Sequence, residues 1–201
     1  MKFLSPKLKS KLLPYRDIII FAVTLLVSNY FWKFTVHGDD AVGLVTWFGI
    51  NITAPFAWMA ENITNAVYWC VSLFRDTIYQ ADTYTLRFTS GSGTRIVWSC
   101  TPLKQIFIWI CVLLATPCSE LKVNPKRGRL IKIWYIPLGI LLLYGFNILR
   151  IICITLFIEL HPEWFEILHT YIFKYLFYGF MFGLWCIFIA IRNKKAEKSY
   201  S

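Results

Sequence analysis

The sequence predicts an all-α polytopic membrane protein, a helical bundle with a small extracytoplasmic β-hairpin, and three observations carry that prediction. The 201 residues are 57% apolar and 18% aromatic but only 16% charged, a balance far from that of a soluble domain. Several stretches reach the roughly 20 apolar residues needed to cross a hydrocarbon layer. None of them alternates polar and apolar positions as a transmembrane barrel strand does. The length suits one domain spanning 1–201.

The first apolar segment, 17–36, follows a basic stretch in the manner of a secretory signal. Its run is long, however, and Asn29-Tyr30-Phe31-Trp32 offers no small-residue cleavage site, so it reads as a retained anchor. Within 41–79, Phe56, Met59, Ile63, Ala66, Cys70 and Leu73 recur at spacings of three and four, with Glu61, Asn62, Thr64, Asn65, Ser72, Arg75 and Asp76 between them. That pattern predicts an amphipathic helix lying in the interface. A helical hairpin with 41–59 as one arm is the competing arrangement. Over 83–99, the β-prone runs Thr83–Phe88 and Thr94–Trp98 flank Thr89-Ser90-Gly91-Ser92-Gly93, which predicts a hairpin whose second strand runs into Cys100. Three further crossings are expected at 103–118, 131–160 and 166–191.

Charge orients these segments. The chain carries a formal net charge of +10, and 14 of its 21 basic residues fall in three short flanks. Lys2, Lys7, Lys9, Lys11 and Arg16 precede the first crossing, and Lys122, Lys126, Arg127, Arg129 and Lys132 lie between the second and third. Arg192, Lys194, Lys195 and Lys198 follow the last. Such clustering marks cytoplasmic loops and termini. It argues for membrane lipids, and against nucleic acid, as the partner of the positive charge. Residues 37–102 and 160–166 then face outward, carrying Asp39, Asp40, Glu61, Asp76 and Asp82 among them.

Six cysteines occur, at 70, 100, 111, 118, 153 and 186. No CxxC or Cys/His spacing suggests a metal site, and no glycine-rich phosphate loop or other cofactor motif is present. Cys111, Cys153 and Cys186 fall inside apolar segments as packing residues. Cys100 alone stands where the outer hairpin meets a crossing, a strand-to-helix junction that can expose a nucleophile. A disulfide between Cys70 and Cys100 is the structural alternative. Arg150 sits in a segment whose 30 residues would extend about 45 Å as a helix, and burying a guanidinium among lipid is costly. Asn147, three residues earlier, shares its helix face. His169 begins the last crossing on the outer side, with His161 as its rival and His37 more remote. A thiol, a base and a fixed cation on one side of a membrane suit cysteine-dependent acyl transfer.

At these residues the chain resembles the exosortase/archaeosortase family of membrane cysteine transpeptidases, most of all its short bacterial branch. The matching pieces are Cys100-Thr101-Pro102-Leu103-Lys104-Gln105, Asn147-Ile148-Leu149-Arg150-Ile151, and the run from His169 to Gly179, so that the likeness covers roughly 83–187. The resemblance implies residence in the bacterial cytoplasmic membrane and cleavage of C-terminal sorting signals from exported proteins on its outer face. Transfer to an envelope acceptor follows. It also implies Cys100 as nucleophile, His169 as acid/base and Arg150 as electrostatic stabiliser. The chain departs from the pattern at Cys-Thr-Pro, where many members have Cys-Ser-Gly, and longer members have more crossings. The non-enzymatic alternative is a scaffold or assembly subunit of an envelope export system.

Overall fold

Helix α1, Arg16–Thr35, is apolar around most of its circumference, with Asp17 in its first turn and Lys33 in its last. Each charge lies at the end where the helix dipole favours its sign. The β-branched pair Thr35-Val36 closes the helix, and the chain continues as a strand. The computed structural model describes residues 15–39, 43–117 and 125–197. Lys2, Lys7, Lys9, Lys11, Asp40, Cys118, Lys122 and Lys198 lie outside the described residues, as do the side chains of Lys126, Arg127, Arg129, Lys194 and Lys195.

The all-α expectation does not hold, because two antiparallel three-stranded sheets interrupt the helices. The first comprises β1 (Val36–Asp39), β2 (Leu44–Trp47) and β3 (Ile50–Asn51), with Val36 opposite Trp47 and Thr46 opposite Asn51. Phe48 and Gly49 link β2 to β3 with φ of 48° and 82°, the paired positive angles of a type I′ hairpin turn. Leu44, Trp47 and Ile50 are exposed apolar residues on these strands, which is why the segment reads as apolar helix from composition alone. The helical-hairpin alternative for 41–59 fails for the same reason. Helix α2 begins only at Thr53 and ends at Ser72.

α2 is the amphipathic helix, but its buried stripe is Phe56, Ala60, Ile63, Thr64, Val67 and Val71. Met59, Ala66 and Cys70 are half-buried and Leu73 is exposed, so the face is rotated by about one residue from the predicted one. Thr64 tolerates burial because its hydroxyl donates to the Ala60 carbonyl at 2.8 Å. The stripe packs on the second sheet and on the long helix α4, Pro125–Leu160, forming a core with Leu86, Phe88, Ile96 and Ile151. That sheet adds β4 (Ile78–Asp82) to the hairpin of β5 (Thr85–Phe88) and β6 (Gly93–Arg95). At the β4–β5 turn the Asp82 carboxylate accepts the Tyr84 N–H at 2.8 Å. This bond, with help from the Thr85 hydroxyl, holds its pKa below the usual carboxylate value.

Among the described residues, three helical stretches are long and apolar enough to cross a membrane: Arg16–Thr35, Ile131–Leu160 and Ile167–Arg192. The last comprises a π-helical segment, Ile167–Ile172, and α5, Phe173–Glu197. The crossing expected at 103–118 is shorter than predicted. Helix α3 covers Leu103–Ala115, 13 residues, or about 20 Å. Pro102 precedes it and Thr116-Pro117 end it. Its Ile108, Trp109, Val112 and Leu113 are wholly buried among α1, α4 and α5, while Leu114 is exposed, so one face of this short helix packs on protein. Gly139 of α4 permits this closeness, since a Cβ there would fall on the Trp109 indole.

At the end of α3 remote from the sheets, unpaired helix carbonyls are capped by cations. Lys132 Nζ donates to the Leu114 and Thr116 carbonyls at 3.2 and 2.7 Å, and Arg192 donates to the Pro117 carbonyl at 2.8 Å. Arg192 also meets the Asp17 carboxylate at 2.6 Å. This arrangement satisfies orphan C=O groups and complements the negative end of the helix dipole.

Candidate active site

β6 ends at Arg95, so the strand does not run directly into Cys100. Ile96 and Val97 extend beyond it, and Trp98–Cys100 then form a single 3₁₀ turn. Three bonds close the turn: Cys100 N–H to the Val97 carbonyl at 2.9 Å, and the Thr101 N–H and hydroxyl to the Trp98 carbonyl at 3.1 and 2.7 Å. The Trp98 indole lies flat enough against Gly38 of β1 that a Cβ there would overlap it. The first sheet thereby braces the turn. Pro102, just before α3, adds a fixed φ at the helix entrance.

The Cys100 Sγ lies 3.9 Å from His169 Nε2, a hydrogen-bonding separation for sulfur. With the Nδ1 tautomer protonated, Nε2 is the acceptor of the thiol proton. His169 occurs inside the π-helical segment Ile167–Ile172. Such an insertion rotates the residues after it relative to a regular helix and recurs at functional sites. The imidazole stacks on Phe165, with ring centroids 5.3 Å apart and planes 18° apart, which fixes its plane.

Asn147 and Arg150 share the inward face of α4 with Leu143, Ile151, Ile154 and Ile158. Asn147 is 1% exposed and donates from Nδ2 to the Cys100 carbonyl at 3.0 Å. It holds the backbone of the turn. Arg150 is 8% exposed and lies within electrostatic range of the Cys100 sulfur. Its Nε is buried without a hydrogen-bond partner among the described residues. Both side chains therefore turn into the protein.

The structure thus brings Cys100, Asn147, Arg150 and His169 together from three separate segments, the 3₁₀ turn, α4 and the π-helical stretch. The other histidines stand apart. His161 is exposed and pairs with Glu163 at 3.2 Å, and His37 is an exposed residue of β1. Cys70 and Cys100 are not joined by a disulfide. Among the described residues, no three His, Cys, Asp or Glu side chains form a cluster able to hold a metal ion.

Arg150 and His169 line a cavity of about 380 Å³. Its wall includes three lysines, Lys33 of α1, Lys104 of α3 and Lys174 of α5, that sequence reasoning did not single out. Their signal was present in the charge distribution. The three basic flanks leave seven cations over, and these three lie near Cys100, His169 and the end of the first apolar segment. Comparison of the chain with known protein families, with curated proteins and with solved structures returns no match.

Proposed function

We propose that the chain is a membrane-embedded cysteine protease/transpeptidase of the exosortase kind, acting on C-terminal sorting signals of exported proteins. The observation that carries the reading is the Cys100–His169 contact at 3.9 Å beside a buried Arg150. In this reading α1, α3, α4 and α5 form the membrane bundle, the termini are cytoplasmic, and both sheets with the site face outward. The short α3 completes the fourth passage.

His169 Nε2 takes the proton of Cys100, and the thiolate attacks the scissile carbonyl carbon. The developing oxyanion and the thiolate both benefit from the charge of the buried Arg150. Collapse breaks the C–N bond, and His169 returns its proton to the departing amine. The remaining thioester is opened by an acceptor nucleophile, whose proton passes to His169, and Cys100 is regenerated. Asn147 positions the nucleophile by holding the Cys100 carbonyl. It touches no reacting atom.

The test follows the size of a co-expressed exported protein bearing a C-terminal hydrophobic span and basic cluster. Cys100→Ala is expected to slow its processing by at least about 10³-fold, as loss of a nucleophile does. Unchanged processing in that variant would sink the cysteine mechanism and leave a scaffold role for the chain. A hydroxylamine-sensitive adduct on wild type, absent from the variant, identifies the thioester directly.

A further inference from the structure

The cavity beside Cys100 presents donors and positive charge with nothing negative to meet them. Lys33, Lys104, Lys174 and Arg150 all line it, and no Asp or Glu does. Lys33 and Lys174 lie near enough to Lys104 to act on it electrostatically. Among the described residues, none of the four forms an ion pair with a carboxylate. Two like charges beside a half-buried ammonium repel it, and their convergence demands a physical counterpart.

Two of the three unpartnered buried polar atoms in the cavity wall point the same way. Arg150, 8% exposed, has Nε without a hydrogen-bond partner, and so has Trp98 Nε1. Both side chains line the cavity, and both are donors only. The third unpartnered atom of the wall is an acceptor, Gln105 Oε1, so unpaired donors outnumber acceptors there and the four converging cations set the sign of the missing partner. Scattered interfacial lysines that merely snorkel would not come with unpaired donors beneath them.

We propose that this cavity is a binding site for a phosphate-class anion, gripped by Lys33, Lys104 and Lys174 above a floor of Arg150 and Trp98. Phosphate fits the donor set because its several oxygens accept from ammonium, guanidinium and indole groups at once. The apolar wall formed by Phe177 and Tyr178 suits a phosphate carried on a hydrophobic molecule, such as a lipid headgroup, while a free phosphate compound meets the same donors. The site stands on the charges and donors, whatever chemistry Cys100 performs.

Native mass spectrometry of the full chain, released from neutral detergent doped with phosphatidylglycerol or phosphatidylcholine, tests the assignment alongside thermal shifts with inorganic phosphate. Wild type is expected to retain phosphatidylglycerol in preference to phosphatidylcholine, to gain thermal stability from phosphate, or both. Retention of the lipid alone assigns a headgroup, and a response to phosphate alone assigns a soluble compound; each supports the site. Lys33→Gln/Lys174→Gln alters two exposed positions and spares the fold. It is expected to weaken binding about tenfold or more, the scale of one charge-assisted contact, with Lys104→Gln as a second variant. Cys100→Ala is expected to bind like wild type, so failure of the peptidase reading and failure of this one are separable. No binding of either probe, or equal binding by wild type and both lysine variants, overturns the proposal.

Discussion

The two ends of the bundle use the same kinds of cation in opposite ways. Away from the sheets, Lys132 and Arg192 are spent on structure, capping the carbonyls of α3 and pairing with Asp17. At the sheet end, Lys33, Lys104, Lys174 and Arg150 converge on a cavity without a carboxylate. A buried charge that is hydrogen-bonded into its surroundings reports on stability. One that is buried and unmatched reports on something the protein binds or transforms. Residue type distinguishes neither case; partners do.

Exchanging each arginine for a neutral side chain of similar length separates the two roles. Arg150→Met carries the largest expected effect, a loss of roughly 10²–10³ in processing rate, the scale of removing an electrostatic stabiliser. Its melting temperature is expected to stay level or rise, because no hydrogen bond among the described residues depends on Arg150. A steep fall in melting temperature would instead make Arg150 structural and erase the contrast. Arg192→Met is the mirror case. It removes the donor to the Pro117 carbonyl and leaves the Asp17 carboxylate with Arg16 alone among the described residues, at 3.2 Å, at a cost of about 1–3 kcal/mol after allowing for partial exposure. Thermal unfolding reads the loss, while processing per folded molecule is expected to hold.

The smallest expected effect belongs to Asp82, at the turn of the second sheet. Its pKa is lowered in the folded state by the Tyr84 N–H, so the folded chain binds its proton less readily than the unfolded one. The stabilisation is therefore fully present above about pH 4, near the unfolded value, and fades as pH falls through the lowered one. Melting temperatures of wild type and Asp82→Asn, compared from pH 7 down to pH 3, are expected to differ at neutral pH and converge in acid. A constant gap across that range would show that the turn does not depend on the charge.

Much of the helical framework is legible in the chain because long apolar runs have few alternatives. α1 at Arg16–Thr35 falls within a residue of the expected 17–36, and Ile131–Leu160 is one apolar stretch in both sequence and structure. The first sheet is not legible. Its strands are two to four residues long and carry exposed apolar side chains, so neither alternation nor length betrays them. The turn at Phe48-Gly49 holds the missing signal, but a phenylalanine at positive φ runs against its own preference. The register of α2 is misread by one position because Val67 and Val71 compete with Ala66 and Cys70 for the core, and only the neighbours decide.

Composition and charge order by themselves determined an apolar helical chain with a cysteine, an arginine and a histidine at corresponding ends of its segments. These properties follow from local physics: side-chain hydrophobicity, backbone propensity and the cost of burying charge. Which histidine meets Cys100, that Asn147 holds the thiol's backbone, and that three lysines from three helices share one cavity were decided by tertiary structure. Those facts join positions up to 141 residues apart, from Lys33 to Lys174. Only the packing of α3 against the other helices, with Trp109 against Gly139, sets the depth and rotation that bring them together.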